Sequence, residues 1–240
     1  GGLWTSQNGG STWKLTDGPF KNGTNEYANR DMYYGDIEVH PLNANRILVG
    51  SHAGVLISTN AGESWTLADS LNQDDKPSER SYFIAQKPDD QNIILASYGK
   101  RIFRSTNGGS TWTMVFDNSS VSQNFNQGQH DDATVYQRRY NFAGMDFHPT
   151  DPNIVFLSAL NSSNQVCLYK STNAGQSFSL LVNTTKSKFL KMMITPADPD
   201  HVYFGTLFTN VETPAADDGI YKYDTNGTLV SFSPIQGITV

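Results

Sequence analysis

Ser105-Thr106-Asn107-Gly108-Gly109-Ser110-Thr111-Trp112 decides the fold, because the stretch is one of a set. The pattern stands also at Ser6-Gln7-Asn8-Gly9-Gly10-Ser11-Thr12-Trp13 and at Ser58-Thr59-Asn60-Ala61-Gly62-Glu63-Ser64-Trp65. It returns at Ser171-Thr172-Asn173-Ala174-Gly175-Gln176-Ser177-Phe178, and a decayed copy runs Tyr221-Lys222-Tyr223-Asp224-Thr225-Asn226-Gly227. The aromatic ends Trp13, Trp65, Trp112 and Phe178 lie 52, 47 and 66 residues apart, the spacing of repeated supersecondary units. In each copy a short polar side chain (Asn8, Asn60, Asn107 or Asn173) can accept hydrogen bonds from turn amides and so fold the turn. Gly10, Gly62, Gly109 and Gly175 share one position, as expected where φ must be positive. The aromatic that follows is expected to start a strand and pack into the core.

A second repeat precedes the boxes. It reads Ile37-Glu38-Val39-His40-Pro41 followed by Asn45-Arg46-Ile47-Leu48-Val49-Gly50, then Ile84-Ala85-Gln86-Lys87-Pro88 followed by Asn92-Ile93-Ile94-Leu95-Ala96. It recurs as Met145-Asp146-Phe147-His148-Pro149 with Asn153 to Leu157, and as Met193-Ile194-Thr195-Pro196 with His201 to Gly205. Each is two β-rich runs split by a turn. With the two strands flanking a box, the unit has four strands and about 47 residues, which is a propeller blade. No 3.6-residue apolar stripe of useful length occurs. The expected architecture is therefore all-β, a propeller of four-stranded antiparallel blades. The blades fall at about 35–68, 82–116, 143–182 and 190–235, with a part-blade over 1–16 and the start of a further strand over 236–240. The chain opens inside a blade, at Gly2-Leu3-Trp4-Thr5, and one inner strand pair is missing. Either the last segment closes a five-blade ring imperfectly or the chain is a portion of a larger ring; an exposed strand edge is a liability, so the portion is the favoured expectation. The opening without Met or leader reads as a processed or truncated chain.

The box resembles the Asp-box of BNR-type propellers, Ser-x-Asp-x-Gly-x-Thr-Trp, with Asn at all four Asp positions. The blades resemble those of sortilin-type receptors, photosystem assembly factors, xyloglucanase-like glycosidases and sialidases. The resemblance implies the fold and leaves the ligand open. Xyloglucanase-like enzymes carry an acidic residue in a Thr-Asp-x-Gly-Gly context, and Gly50-Ser51-His52-Ala53-Gly54 offers no counterpart. Sialidases carry an Arg-Ile-Pro motif. The nearest stretches here, Arg46-Ile47-Leu48 and Arg101-Ile102-Phe103, read as strands.

The net charge of −6 argues against a nucleic-acid groove, which needs clustered Lys and Arg. No apolar run approaches the ~20 residues of a membrane span. The single cysteine, Cys167, reads as a core thiol. Sequons at Asn22, Asn118, Asn161, Asn183 and Asn226 fall in predicted loops and fit a secreted or cell-surface protein. His40 and His148 hold equivalent turn positions. His130-Asp131-Asp132 lacks a ligand series around it, so no metal site and no cofactor are expected.

Function is expected on the long, dissimilar connections Asp17 to Gly35, Asp69 to Tyr82 and Asp117 to Ala143, since long loops on a rigid scaffold usually carry it. Candidate ligand-binding residues there are Asp31, Tyr33, Tyr34, Tyr82, Asp131, Tyr136, Arg138 and Tyr140. Aromatic faces with carboxylates and guanidinium nearby suit a glycan or an extracellular protein. Two readings stay open. One is a binding or scaffold module with no catalytic residues, whose other partner is any remaining blades of its own chain. The other is part of a glycoside hydrolase, which needs two carboxylates across a cleft. For that reading Asp31, Asp36, Glu79, Asp131 and Asp132 are the loop carboxylates to test.

Overall fold

The computed structural model describes residues 3–16, 34–51, 54–68, 83–120, 142–163, 165–184, 189–206 and 219–234. No helix occurs among them. The chain divides into two compact units, Gly1–Val115 and Phe116–Val240.

The first unit opens with a two-stranded antiparallel sheet, β1 (Leu3–Thr5) and β2 (Lys14–Thr16). Two four-stranded antiparallel sheets follow in simple meander order. One holds β3 (Tyr34–His40), β4 (Asn43–Ser51), β5 (Gly54–Ser58) and β6 (Thr66–Leu67). The next holds β7 (Ile84–Gln86), β8 (Ile94–Tyr98), β9 (Arg101–Ser105) and β10 (Thr113–Asp117), the last of which crosses the unit boundary. The second unit holds β11 (Phe142–Phe147), β12 (Val155–Leu160), β13 (Val166–Ser171) and β14 (Ser179–Asn183). Its other sheet is β15 (Phe189–Thr195), β16 (Asp198–Thr206), β17 (Gly219–Asp224) and β18 (Leu229–Pro234). Asn183, expected in a loop, closes β14 opposite Cys167.

Within each unit successive sheets pack face to face, and the central strands read as unbroken apolar runs rather than alternating ones. In β8 and β12 every residue is buried. In β4, Leu48 packs forward with Val55 and Ala68 onto Ile84, Ile94 and Ala96 of the next sheet. Its neighbour Val49 packs backward, with Leu56 and Trp65, onto Leu3 of β1. In the second unit Phe156, Leu160, Val166 and Leu168 pack forward onto Met192, Ile194, Val202, Phe204, Tyr221 and Tyr223. Each side chain of this size removed from water contributes roughly 1.5–3 kcal/mol.

The box aromatics are not uniformly core, contrary to expectation. Trp65 is 8% exposed and donates its Nε1–H to Thr16 Oγ1 across to the β1–β2 sheet. Trp112 is half-buried against the Leu48 cluster. Phe178 is half-buried too, with its ring edge-on to Phe116. Trp13 is 61% exposed. The buried rings lie against the sheet that precedes them, and no sheet precedes Trp13 among the described residues.

Candidate functional site

The described polar groups concentrate in the boxes. In the box of Asn107, its Oδ1 accepts from Thr111 N–H at 2.8 Å and from Ser105 Oγ–H at 3.0 Å. Its Nδ2 donates to Thr111 Oγ1 at 2.8 Å. Ser105 Oγ accepts in turn from Gly109 N–H at 2.9 Å and from Asn107 N–H at 3.2 Å. Asn8, Asn60 and Asn173 capture the amide four residues on in the same way, at 2.8, 2.9 and 3.0 Å. The amide nitrogen donates to the hydroxyl of Thr12, Ser64 or Ser177. Asn therefore keeps the acceptor of an Asp and adds a donor that an ionised Asp lacks.

The turn needs two left-handed residues, one more than expected. Gly62 stands at φ 85° and Gly109 at 98°, and the residues before them, Ala61 and Gly108, at 56° and 70°. An alanine in that region costs roughly 1–2 kcal/mol, so the turn's hydrogen bonds offset strain at Ala61 and at Ala174.

The decayed fifth copy uses a true carboxylate. Asp224 Oδ1 accepts from Thr228 N–H at 2.7 Å and from Asn226 N–H at 3.0 Å. The Thr228 amide first, and the Asn226 and Gly227 amides after it, hold the Asp224 carboxyl below its ordinary range, against an opposing effect of burial. The motif thus runs one residue past Gly227.

Three of the boxes also seat on the preceding sheet. A Cβ at Gly62 would lie 2.8 Å from Thr5 Cγ2, and one at Gly109 would lie 2.6 Å from Ile57 Cδ1. One at Gly227 would lie 2.7 Å from Val182 Cγ2. Glycine is required there by close approach as well as by φ. Gly10 meets only its own Trp13, at 3.8 Å.

The histidines of the second repeat serve their turns. His40 Nδ1 accepts from Leu42 N–H at 3.3 Å, and His148 Nδ1 from Asp151 N–H at 3.0 Å. Cys167 is buried, and burial pushes its thiol up. Among the described residues no three His, Cys, Asp or Glu side chains converge as a metal site would require. Three sequon amides are engaged: Asn118 Nδ2 donates to Leu160 O, and Asn161 Nδ2 donates to Gln165 Oε1 and to Asn183 Oδ1.

One polar cluster escaped the sequence reading. On the open face of the β15–β18 sheet, Asp198 accepts from Lys222 Nζ at 2.8 Å, from the Tyr203 hydroxyl and from His201 Nδ1 at 2.6 Å. Lys222 first, then Tyr203 and His201, hold the Asp198 carboxyl far below its ordinary range. Asp198 in turn raises Lys222. No motif announces this cluster. Only the pairing of Tyr203 with Lys222 across β16 and β17 brings it together.

Of the predicted ligand-binding residues, Asp31, Tyr33, Tyr82, Asp131, Tyr136, Arg138 and Tyr140 lie outside the described residues, as do Glu79 and Asp132. Tyr34 opens β3 opposite Ser51, with its side chain also outside them.

Solved structures give the fold its class. Over 98% of its length the chain superposes on an ancestral GH74 enzyme with TM-score 0.64 and 22% identity, spanning 28% of that chain. Over 82% it superposes on the GH74 enzyme of Niastella koreensis with TM-score 0.57 and 18% identity, spanning 29% of that chain. Over 84% it superposes on YCF48 of Cyanidioschyzon merolae with TM-score 0.53 and 12% identity, spanning 55% of that chain. The protein is a β-propeller in fold class, all-β and built from four-stranded antiparallel blades. No protein-family model matches the sequence, and neither does any curated protein.

Proposed function

We propose that the protein is a binding or scaffold module, secreted or displayed at a cell surface, that takes a glycan or an extracellular protein on the segments joining one blade to the next. One observation carries this reading. In a four-stranded meander the box turns and the blade-to-blade connections leave from opposite ends of the sheet. The box turns spend their Asn, Ser and Thr groups on their own amides and their glycines on the preceding blade. Recognition is left to the connections between β2 and β3, β6 and β7, and β10 and β11, which differ in length and content. The module needs no cofactor, no metal and no catalytic pair.

A glycan and protein array, followed by alanine substitution, tests it. Tyr33→Ala, Tyr136→Ala and Arg138→Ala should each weaken the binding found, and Asn107→Ala should leave it unchanged. Binding that ignores all three loop substitutions would overturn the reading.

The second reading, part of a glycoside hydrolase, draws on the fold shared with the two GH74 enzymes, of which the chain spans 28% and 29%. Turnover of a β-glucan or a sialoside by this chain, abolished by Asp31→Ala or Asp131→Ala, would establish it in place of the module.

A further inference from the structure

We propose that Asn226 is a modification site that carries an N-linked glycan, an inference that rests on the secreted or cell-surface reading above. Asn226, Gly227 and Thr228 form the acceptor pattern Asn-x-Thr at the tip of the turn between β17 and β18. Asn226 and Thr228 are both exposed. The Asn226 backbone N–H donates to Asp224 Oδ1 at 3.0 Å, while its side-chain amide has no hydrogen-bond partner among the described residues. Box tips keep such exposure where another sheet follows them. Asn60, Glu63 and Ser64 are exposed with the β7–β10 sheet after them, and Gln176 and Ser177 with the β15–β18 sheet after them.

The other described sequon side chains are spent inside the fold. Asn118 is 6% exposed and donates from Nδ2 to Leu160 O at 3.0 Å. Asn161 Nδ2 donates to Gln165 Oε1 and Asn183 Oδ1 at 3.1 and 3.0 Å, and its Oδ1 accepts from the Ser163 and Gln165 amides. Asn183 Oδ1 accepts from Asn161 and from the Cys167 thiol. A glycan is bulky and lies in solvent. On Asn118 or Asn161 it would displace hydrogen bonds that the fold uses, and at Asn226 it displaces none. In the transfer, Asn226 Nδ2 bonds to the anomeric carbon of a lipid diphosphate-linked oligosaccharide. The bond from that carbon to the diphosphate oxygen breaks, and the lipid diphosphate leaves with the electron pair as Nδ2 gives up one proton. In a four-stranded meander the box turn and the blade-to-blade connection leave from opposite ends of the sheet, so this glycan stands away from the connections proposed to bind ligand.

The full chain, expressed behind a supplied secretory leader in a eukaryotic host, tests the site by peptide mass mapping of the folded product. Asn226 should carry a glycan that a peptide N-glycosidase removes, and Asn118 and Asn161 should be bare. Asn226→Gln alters an exposed side chain with no partner, so the variant keeps its fold and should lose the glycan mass. Thr228→Ala should lose it too, and Thr228→Ser should keep it. A bare Asn226 overturns the proposal, as does a glycan on Asn118 or Asn161 of a chain that still melts cooperatively. Because the leader supplies entry to the secretory route, a bare Asn226 strikes this site alone, and absent array binding strikes the binding module alone.

Discussion

Lys170 lies in β13 and Thr225 in the turn that follows β17, and the Lys170 ammonium donates a 2.8 Å hydrogen bond to the Thr225 carbonyl. The contact ties the β11–β14 sheet to the box that follows it. Arg46 does the same in the first unit, donating from Nη2 to the Gly108 carbonyl at 3.2 Å. In both cases a cation reaches forward to the carbonyl of the box residue just after the Asn or Asp. Lys222 repeats the local geometry of Lys170: one ammonium lies 5.4 Å from the Tyr203 ring centre and the other 5.7 Å from that of Phe156. Lys222 turns instead to Asp198.

Tryptophan truncation should follow the burial of each ring against its preceding sheet. Trp65→Ala should cost about 3–5 kcal/mol, as large core truncations do. Trp112→Ala should cost less, since that ring is half-buried, and Trp13→Ala least. Denaturant melts of the three variants check the order. Equal losses at Trp13 and Trp65 would mean that the preceding sheet does not bury the ring.

Asn107→Ala should lower stability by about 1 kcal/mol, the usual size of a lost cap or turn hydrogen bond. Asn107→Asp should recover most of it, because the Thr111 amide finds its acceptor again while the donor to Thr111 Oγ1 is lost. Equilibrium unfolding of both variants checks the prediction.

Acid should act on the fifth turn in a way it does not act on the other four. The Asp224 carboxyl is depressed by amide donors, so its contribution is complete above the ordinary carboxylate value of about 4. That contribution is lost as pH falls through the lowered folded value. Asp224→Asn removes the titrating group and keeps an acceptor. The stability gap between parent and variant, followed from neutral to acid pH, should shrink as pH falls. A gap independent of pH would show that the carboxylate is not held by the turn.

The blade pattern was legible because the box and the Pro-Asp-Asn turns punctuate every strand pair, and box glycines at one position announce one backbone conformation. Burial was less legible. Trp13 and Trp112 sit in boxes that differ at one residue, Gln7 against Thr106, yet one ring is exposed and the other half-buried, which is not local information. Asp224 was visible within a decayed box, but its partner Thr228 lies beyond the quoted motif. The Asp198 cluster joins residues from two strands and shows no spacing signal at all. The proposed recognition residues rested on composition of the connections, and those positions lie outside the described residues.

Glycine substitution measures the seating of a box on its preceding blade most directly. Gly10, Gly62 and Gly109 share nearly one φ, at 90°, 85° and 98°, so an alanine brings similar backbone strain to each. They differ in what the new methyl meets: Thr5 at Gly62, Ile57 at Gly109, and only the box's own Trp13 at Gly10. Denaturant melts of Gly10→Ala, Gly62→Ala and Gly109→Ala should show the latter two losing about 1–3 kcal/mol more than the first, the usual cost of overpacking. Equal losses at all three would contradict the seating of the Gly62 and Gly109 boxes against the blade before them.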